Sequence, residues 1–231
     1  MVGYLDLLGA KSRMSNDENG EFLQTIYHCY ETAKAIAKDE SEARKIAGGN
    51  SFRSKVFSDN IIIALPSTDT EQNDNNPITA LHRMCTIIGA LQRTLLAHNI
   101  LSRGGITYGE LFIDDLMVFG KALIQAYEIE STIAVFPRVV VSEEARKYDR
   151  KMVLDSQTLF SNYLRKDNDE AFFLDYLNYP EDQGVQSLVE QSLEWTEDEI
   201  NRNDKMRVLQ KLEWHKNYLE SIYPQKHLAN Y

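Results

Sequence analysis

The chain has 231 residues, 43% of them hydrophobic, and a formal net charge of −10. That is enough apolar mass for a real core and argues against disorder. The acidic balance disfavours non-specific nucleic-acid binding, and no apolar run reaches the ~18 residues of a membrane span. The two cysteines, Cys29 and Cys85, lack the spacing of a disulfide frame or a zinc site, which points to a reducing, cytoplasmic setting. The N-terminus shows no signal-peptide pattern, since it has no basic region and Asp6 breaks its apolar run.

Residues 2–8 run apolar around Asp6, end at Gly9, and read as a first strand. Phe22, Ile26, Cys29, Ala33 and Ile36 recur at helical spacing, so a helix starts near residues 18–21. It ends in a charged, then glycine-rich stretch over 38–50. Residues 52–65 predict a hairpin about a polar tip, Ser58-Asp59-Asn60, between β-branched and aromatic flanks. Residues 67–76 are polar and read as a solvent loop. Pro77 opens the next helix in a first-turn position that suits it, with Leu81, Met84, Ile88 and Leu91 on its core stripe. Strands follow over 101–108 and 110–113, then a helix after Gly120, a strand over 137–141, and a helix capped by Ser142. Residues 152–154 and 171–177 read as a late strand pair. From about 184 to 222 the chain is charged and helical, with a loose apolar face. The order predicts an α+β fold: an antiparallel ferredoxin-like (βαββαβ-type) sheet with helices on one face over 1–180, and a helical extension over 181–231.

Asp6 and Asp59 are the candidate chemical residues. Each is an acid in strand context, and two carboxylates can hold divalent ions for phosphoryl transfer. The alternative is that each caps a turn. That reading is weaker for Asp6, where a lone strand charge is costly to bury. Arg53, Lys55 and Asp59 share parity on one strand and so face one side, which makes Arg53 and Lys55 candidate nucleotide contacts, or else solvated charges. Arg103 reaches a base or phosphate, or makes a structural ion pair. Backbone amides around Gly9, Lys11 and Ser12 cradle a triphosphate, or form an ordinary turn. Asp114-Asp115 reads as a solvated loop ahead of a second metal pair, and the five histidines show no ligand spacing.

These residues resemble the class III nucleotidyl cyclases. Asp6-Leu7-Leu8-Gly9 looks like the family's first strand, and Asp59 its second acid. Arg103-Gly104-Gly105-Ile106 through Gly109 looks like its Arg-x-Gly-Ile-x-x-Gly segment, and Val141-Ser142-Glu143-Glu144 its Val-Ser-Glu-Glu strand end. Phe57-Ser58-Asp59 and the helix from Gly120 to Glu130 are similar to the Pycsar branch, the bacterial anti-phage pyrimidine cyclases. The resemblance implies a class III cyclase domain that converts UTP or CTP to a cyclic monophosphate. It implies a homodimer with both sites at the interface, and a product that activates a downstream effector. It also implies two Mg²⁺ or Mn²⁺ ions per site on Asp6, Asp59 and the Leu7 carbonyl, with Arg53, Lys55, Arg103 and Lys11 toward the substrate. No nucleic acid or membrane partner is expected. Where purine cyclases have a helix Asn and Arg, this chain has Ile124 and Glu128, with Lys121 and Arg138 as candidate replacements for the Arg. Met117 stands where a purine-selecting acid would pair with Lys55. The alternative is a non-catalytic cyclase-like domain that binds nucleotide or dimerises.

Overall fold

The computed structural model describes residues 1–43, 52–67, 76–155, 163–178 and 183–222. Its first half contains β1 (Val2–Leu7), a short α1 (Ala10–Ser15), α2 (Glu21–Ala43), the hairpin β2 (Arg53–Phe57) and β3 (Asn60–Ala64), α3 (Pro77–Ala97) and β4 (Ser102–Thr107). These strands stand in the order β2-β3-β1-β4, each pair antiparallel. This is the ferredoxin-like sheet that the sequence predicts. A separate ribbon follows, β5 (Phe112–Ile113) with β6 (Val118–Phe119). Then α4 (Lys121–Glu128) runs into one π-helical turn, Ile129–Ile133. Next, β7 (Val139–Val141) pairs with β4 in parallel, which makes the sheet mixed. After α5 (Glu143–Asp155), β8 (Leu164–Lys166) and β9 (Phe172–Leu174) complete seven strands.

Helices cover both faces of the sheet, not one, because side chains alternate along β1. A Cβ on Gly3 would stand 2.7 Å from Ile88 and 3.3 Å from Met84, so Gly3, Leu5 and Leu7 face α3. Val2, Tyr4 and Asp6 face the other way, toward α4. There Val2 packs with Ala122 and Ala126, and the Tyr4 ring meets Tyr127 edge-on at 5.6 Å. Gly105 lies opposite Tyr4, and a Cβ on it would be 2.5 Å from the Ala126 carbonyl oxygen. Only glycine lets α4 lie this close to β4. The central helix α3 starts as expected: Asn76 accepts from the Thr79 amide at 2.9 Å, and Pro77 takes the first turn.

Residues 152–154 close α5 and are not a strand. The partner of β9 is β8, in the register Leu164↔Leu174. A three-residue apolar run carries no period, so it cannot tell strand from helix. The polar segment 68–75, the Gly48-Gly49 pair and the 180/181 boundary lie outside the described residues.

The C-terminal helices α6 (Gln183–Arg202) and α7 (Met206–Ile222) are part of the core. Val185, Val189, Leu212, Tyr218 and Leu219 belong to the same buried cluster as the strands. Arg138 is buried and pairs with Asp167 and Asp169 of the β8–β9 turn. Its guanidinium also stands 5.6 Å from the Phe136 ring centre and 5.9 Å from that of Trp214 on α7. Arg138 is therefore an anchor, and it does not replace a catalytic arginine as the sequence reading allowed. His215 is fully buried on α7, with Nδ1 3.1 Å from Thr196 Oγ1, and burial pushes its pKa down to about 3. Burial also pushes the Cys29 thiol up to about 11 and the Cys85 thiol up to about 12, which keeps both inert. No helix among the described residues is long and apolar enough to cross a membrane.

Gly105→Ala should cost about 2 kcal/mol or more in urea unfolding, because the helix backbone must move. The His215 pKa lies below its ordinary value of 6.5, so between about 3 and 6.5 only the unfolded chain takes up the proton. Stability should therefore be full above that window and fall with pH through it. His215→Leu should flatten this acid limb in unfolding midpoints measured at a series of pH values.

Candidate active site

The strand register builds the site. Asp6 lies between Asn60 of β3 and Arg103 of β4. The β2–β3 turn consists of Ser58 and Asp59, so the tip is one residue shorter than the sequence suggests. Ser58 takes φ 56, a left-handed value of the kind that two-residue hairpins favour. The turn folds onto the end of β1, where the Leu7 amide donates to the Asp59 carbonyl at 2.9 Å. Asn60 orients the acid: its Nδ2 donates to Asp59 Oδ1 at 3.0 Å, while its Oδ1 accepts from Tyr4 at 2.6 Å. Asp6, Leu7 and Asp59 are thus brought to one end of β1.

Arg103 dominates the local charge. Its Nε donates to Asp6 Oδ2 at 3.0 Å, and its Nη2 pairs with Glu130 Oε1 at 2.5 Å. The Asp6 and Arg103 side chains are about a fifth exposed, at 20% and 21%. Glu130 is buried in the π turn, and burial raises its carboxyl pKa, with Asp6 adding to the rise and Arg103 opposing it. The Tyr4 phenol is pushed up to about 12, first by burial and then by Glu130 and Asp6.

The other candidates are more dispersed. Lys11 is exposed on α1, just past Gly9, whose φ of 76 permits the tight turn after β1. Lys55 donates to the Asp115 carbonyl at 2.5 Å, which ties β2 to the loop between β5 and β6. Arg53 stands at the far end of β2, about 13 Å along the strand from Phe57. There it lines a separate cleft with Met1, Pro66 and Tyr108. Asp59 lies in the turn, outside the alternation that Arg53 and Lys55 share. The Asp114 carboxylate accepts the Leu116 and Met117 amides at 2.8 Å each, so it shapes a loop. Ile124 and Glu128 lie exposed on α4.

Among the described residues no group of three or more His, Cys, Asp or Glu side chains could hold a metal. The pair Asp6 and Asp59 still suits a hard divalent ion. Each has one oxygen engaged, by Arg103 and by Asn60. Among the described residues Asp6 Oδ1 and Asp59 Oδ2 have no hydrogen bond, and carboxylate oxygens are what Mg²⁺ and Mn²⁺ take. The sequence reading missed Tyr4 and Asn60 as supports for the acids. The period of β1 could have found Tyr4, which shares the Asp6 face.

Arg103→Met leaves Asp6 and Glu130 without their shared cation and should cost about 2–4 kcal/mol. Adding Glu130→Met should recover a good part of that loss, as read from urea midpoints.

No family model and no curated protein matches the chain. Solved structures do resemble it. The monomeric guanylyl cyclase domain of the RhoGC fusion protein from the aquatic fungus Blastocladiella emersonii is 14% identical, with a TM-score of 0.51. That match covers 75% of this chain and 92% of the other. The adenylyl cyclase CyaB from P. aeruginosa is 16% identical with a TM-score of 0.46, covering 65% of this chain and 79% of its own. At these identities the likeness is one of architecture: the chain adopts the fold of a guanylyl cyclase domain.

Proposed function

We propose that the chain is a metal-dependent class III cyclase that converts UTP or CTP to the 3′,5′-cyclic monophosphate and pyrophosphate. On this reading it works in the cytoplasm as a homodimer with sites at the interface. Its product is the messenger of an anti-phage response and acts on a separate effector. The carrying observation is the meeting of Asp6, Leu7 and Asp59 at one end of β1, with the turn bonded to the strand through the Leu7 amide. The cyclase fold supports the reaction class. Exposed Phe57, Ile124 and Tyr127 on the α4 side support a partner there, at 75%, 58% and 51% exposure. The Phe57-Ser58-Asp59 tip, and Met117 in place of a purine-selecting acid, favour a pyrimidine.

The reaction forms a bond from the ribose 3′-oxygen to the α-phosphorus and breaks the bond to the β-phosphate bridge. Pyrophosphate leaves, and the 3′ proton passes to solvent. Asp6, Asp59 and the Leu7 carbonyl would hold Mg²⁺ or Mn²⁺, which when bound make the 3′-hydroxyl more acidic and neutralise the leaving charge. The protein's own part is positional. The β1–β3 ladder fixes the spacing of the acids, and Asn60 holds Asp59 in orientation. Arg103 holds one Asp6 oxygen through its Nε and so fixes the direction of the carboxylate. Lys11 stands where the triphosphate would pass the β1–α1 turn. Lys55 and Arg53 would reach substrate only where it extends along β2 toward the β5–β6 loop.

The test is incubation of the protein with each of the four nucleoside triphosphates and Mn²⁺, with products separated by chromatography. A cyclic product from UTP or CTP with equimolar pyrophosphate is expected. Asp59→Ala should lower turnover by about 10²–10³-fold or more, while sedimentation still shows the dimer. No turnover of any nucleotide would overturn the proposal and leave the non-catalytic reading.

A further inference from the structure

Arg103 has a second side. Beyond Asp6 it lines a groove of about 850 Å³ between α7 and residues 135–136, walled also by Phe136, Arg207, Lys211 and Trp214. Three cations meet there against one lining carboxylate, Glu213, on a chain whose net charge is −10. Asp6 and Glu130 already hold Arg103, so the cations left open to an anion in this concave, partly apolar wall are Lys211 and Arg207. Lys211 is partly buried and within electrostatic reach of Arg103, Asp6 and Glu130. Among the described residues neither Lys211 nor Arg207 has a carboxylate within ion-pair distance. Lys211 feels Asp6 and Glu130 only at a distance and has no direct ion-pair partner among the described residues, and a ligand with several anionic oxygens supplies one. Gln210 and Asn217 bring amide donors to the same wall.

We propose that this groove binds a polyphosphate group, with Lys211 and Arg207 as its cations and Arg103 at its inner edge. Resting on the cyclase reading, the ligand is either the triphosphate tail of the substrate or the departing pyrophosphate. Lys211 serves as a movable point charge, and Arg207 supplies a planar fork for phosphate oxygens. The helical extension then belongs to the working site, and Arg103 links it to Asp6.

The first experiment titrates the full chain with inorganic tripolyphosphate in EDTA, so that no metal carries the binding. Calorimetry is read alongside the fluorescence of Trp214, which lines the groove. Saturable binding is expected, weakened about tenfold or more by Lys211→Gln and largely restored by Lys211→Arg. No binding to the unmodified chain, or equal binding to Lys211→Gln, overturns the proposal. In turnover assays, a raised KM with little change in kcat in Lys211→Gln supports the triphosphate tail. An unchanged KM with weakened inhibition by pyrophosphate supports the departing group, and no change in either overturns the groove. Lys211-dependent binding without turnover supports the groove and removes the cyclase reading. Turnover with binding that ignores Lys211 removes the groove alone.

Discussion

A strand held between two antiparallel neighbours and covered on both faces cannot move its side chains from one face to the other. β1 is such a strand, and its two-residue period decides where everything near the site lies. Gly3, Leu5 and Leu7 seal the α3 side. Val2, Tyr4 and Asp6 must then look toward α4. Register does the rest, since Asn60 and Arg103 are the cross-strand neighbours of Asp6 and so share its face. A slip of one residue would put Asp6 into the apolar layer under α3, where nothing could pair with it. The core therefore enforces the chemistry: the apolar residues that hold β1 in register also hold the acid in place.

The acid is not left bare. Asp6, Arg103 and Glu130 form a compact arrangement in which one cation serves two carboxylates of unequal burial. The guanidinium is the cheaper group to desolvate, because its charge is spread over a plane. The buried Glu130 depends on it most. This arrangement stabilises the π turn that presents Glu130. There the Ser131 and Thr132 hydroxyls bond back to the Tyr127 and Glu128 carbonyls and loosen the regular ladder. An irregular turn after α4 is thus tied to the charge at the end of β1. On the cyclase reading, a divalent ion at Asp6 would share the carboxylate with Arg103, which holds Oδ2.

Much of this was legible in the sequence because it is local and periodic. The strand–helix order, the Pro77 start, the Ser142 cap and the hairpin at Asp59 all follow from patterns a few residues long. The ferredoxin-like pairing followed from their order. The missed features depend on contacts between distant parts of the chain. Nothing local distinguishes Met152-Val153-Leu154 in a helix from the same residues in a strand. Arg138 looks like a spare cation until Asp167, Asp169 and Trp214 fold around it. Parity made Arg53, Lys55 and Asp59 look alike, but a turn resets parity, and the far end of a strand is a different place from its tip. Glu130 closes the helix segment that begins at Gly120, yet it lies buried in a π turn, which no propensity announces.

The Arg138 anchor bears on how the molecule comes apart. Its charge is compensated by a turn between late strands, and its flat faces are covered by aromatic rings, one of them from the last helix. Trp214 donates to Asp167, one of the same carboxylates, at 2.9 Å. Lifting α7 away would strip the guanidinium of a stacking partner and Asp167 of a donor in one motion. Composition changes sharply near residue 180, and a chemist cutting the gene there would expect a catalytic piece and a dispensable tail. Such a cut would also divide one buried cluster, since Leu212, Tyr218 and Leu219 of α7 pack in the same core as Leu5 and Leu7 of β1.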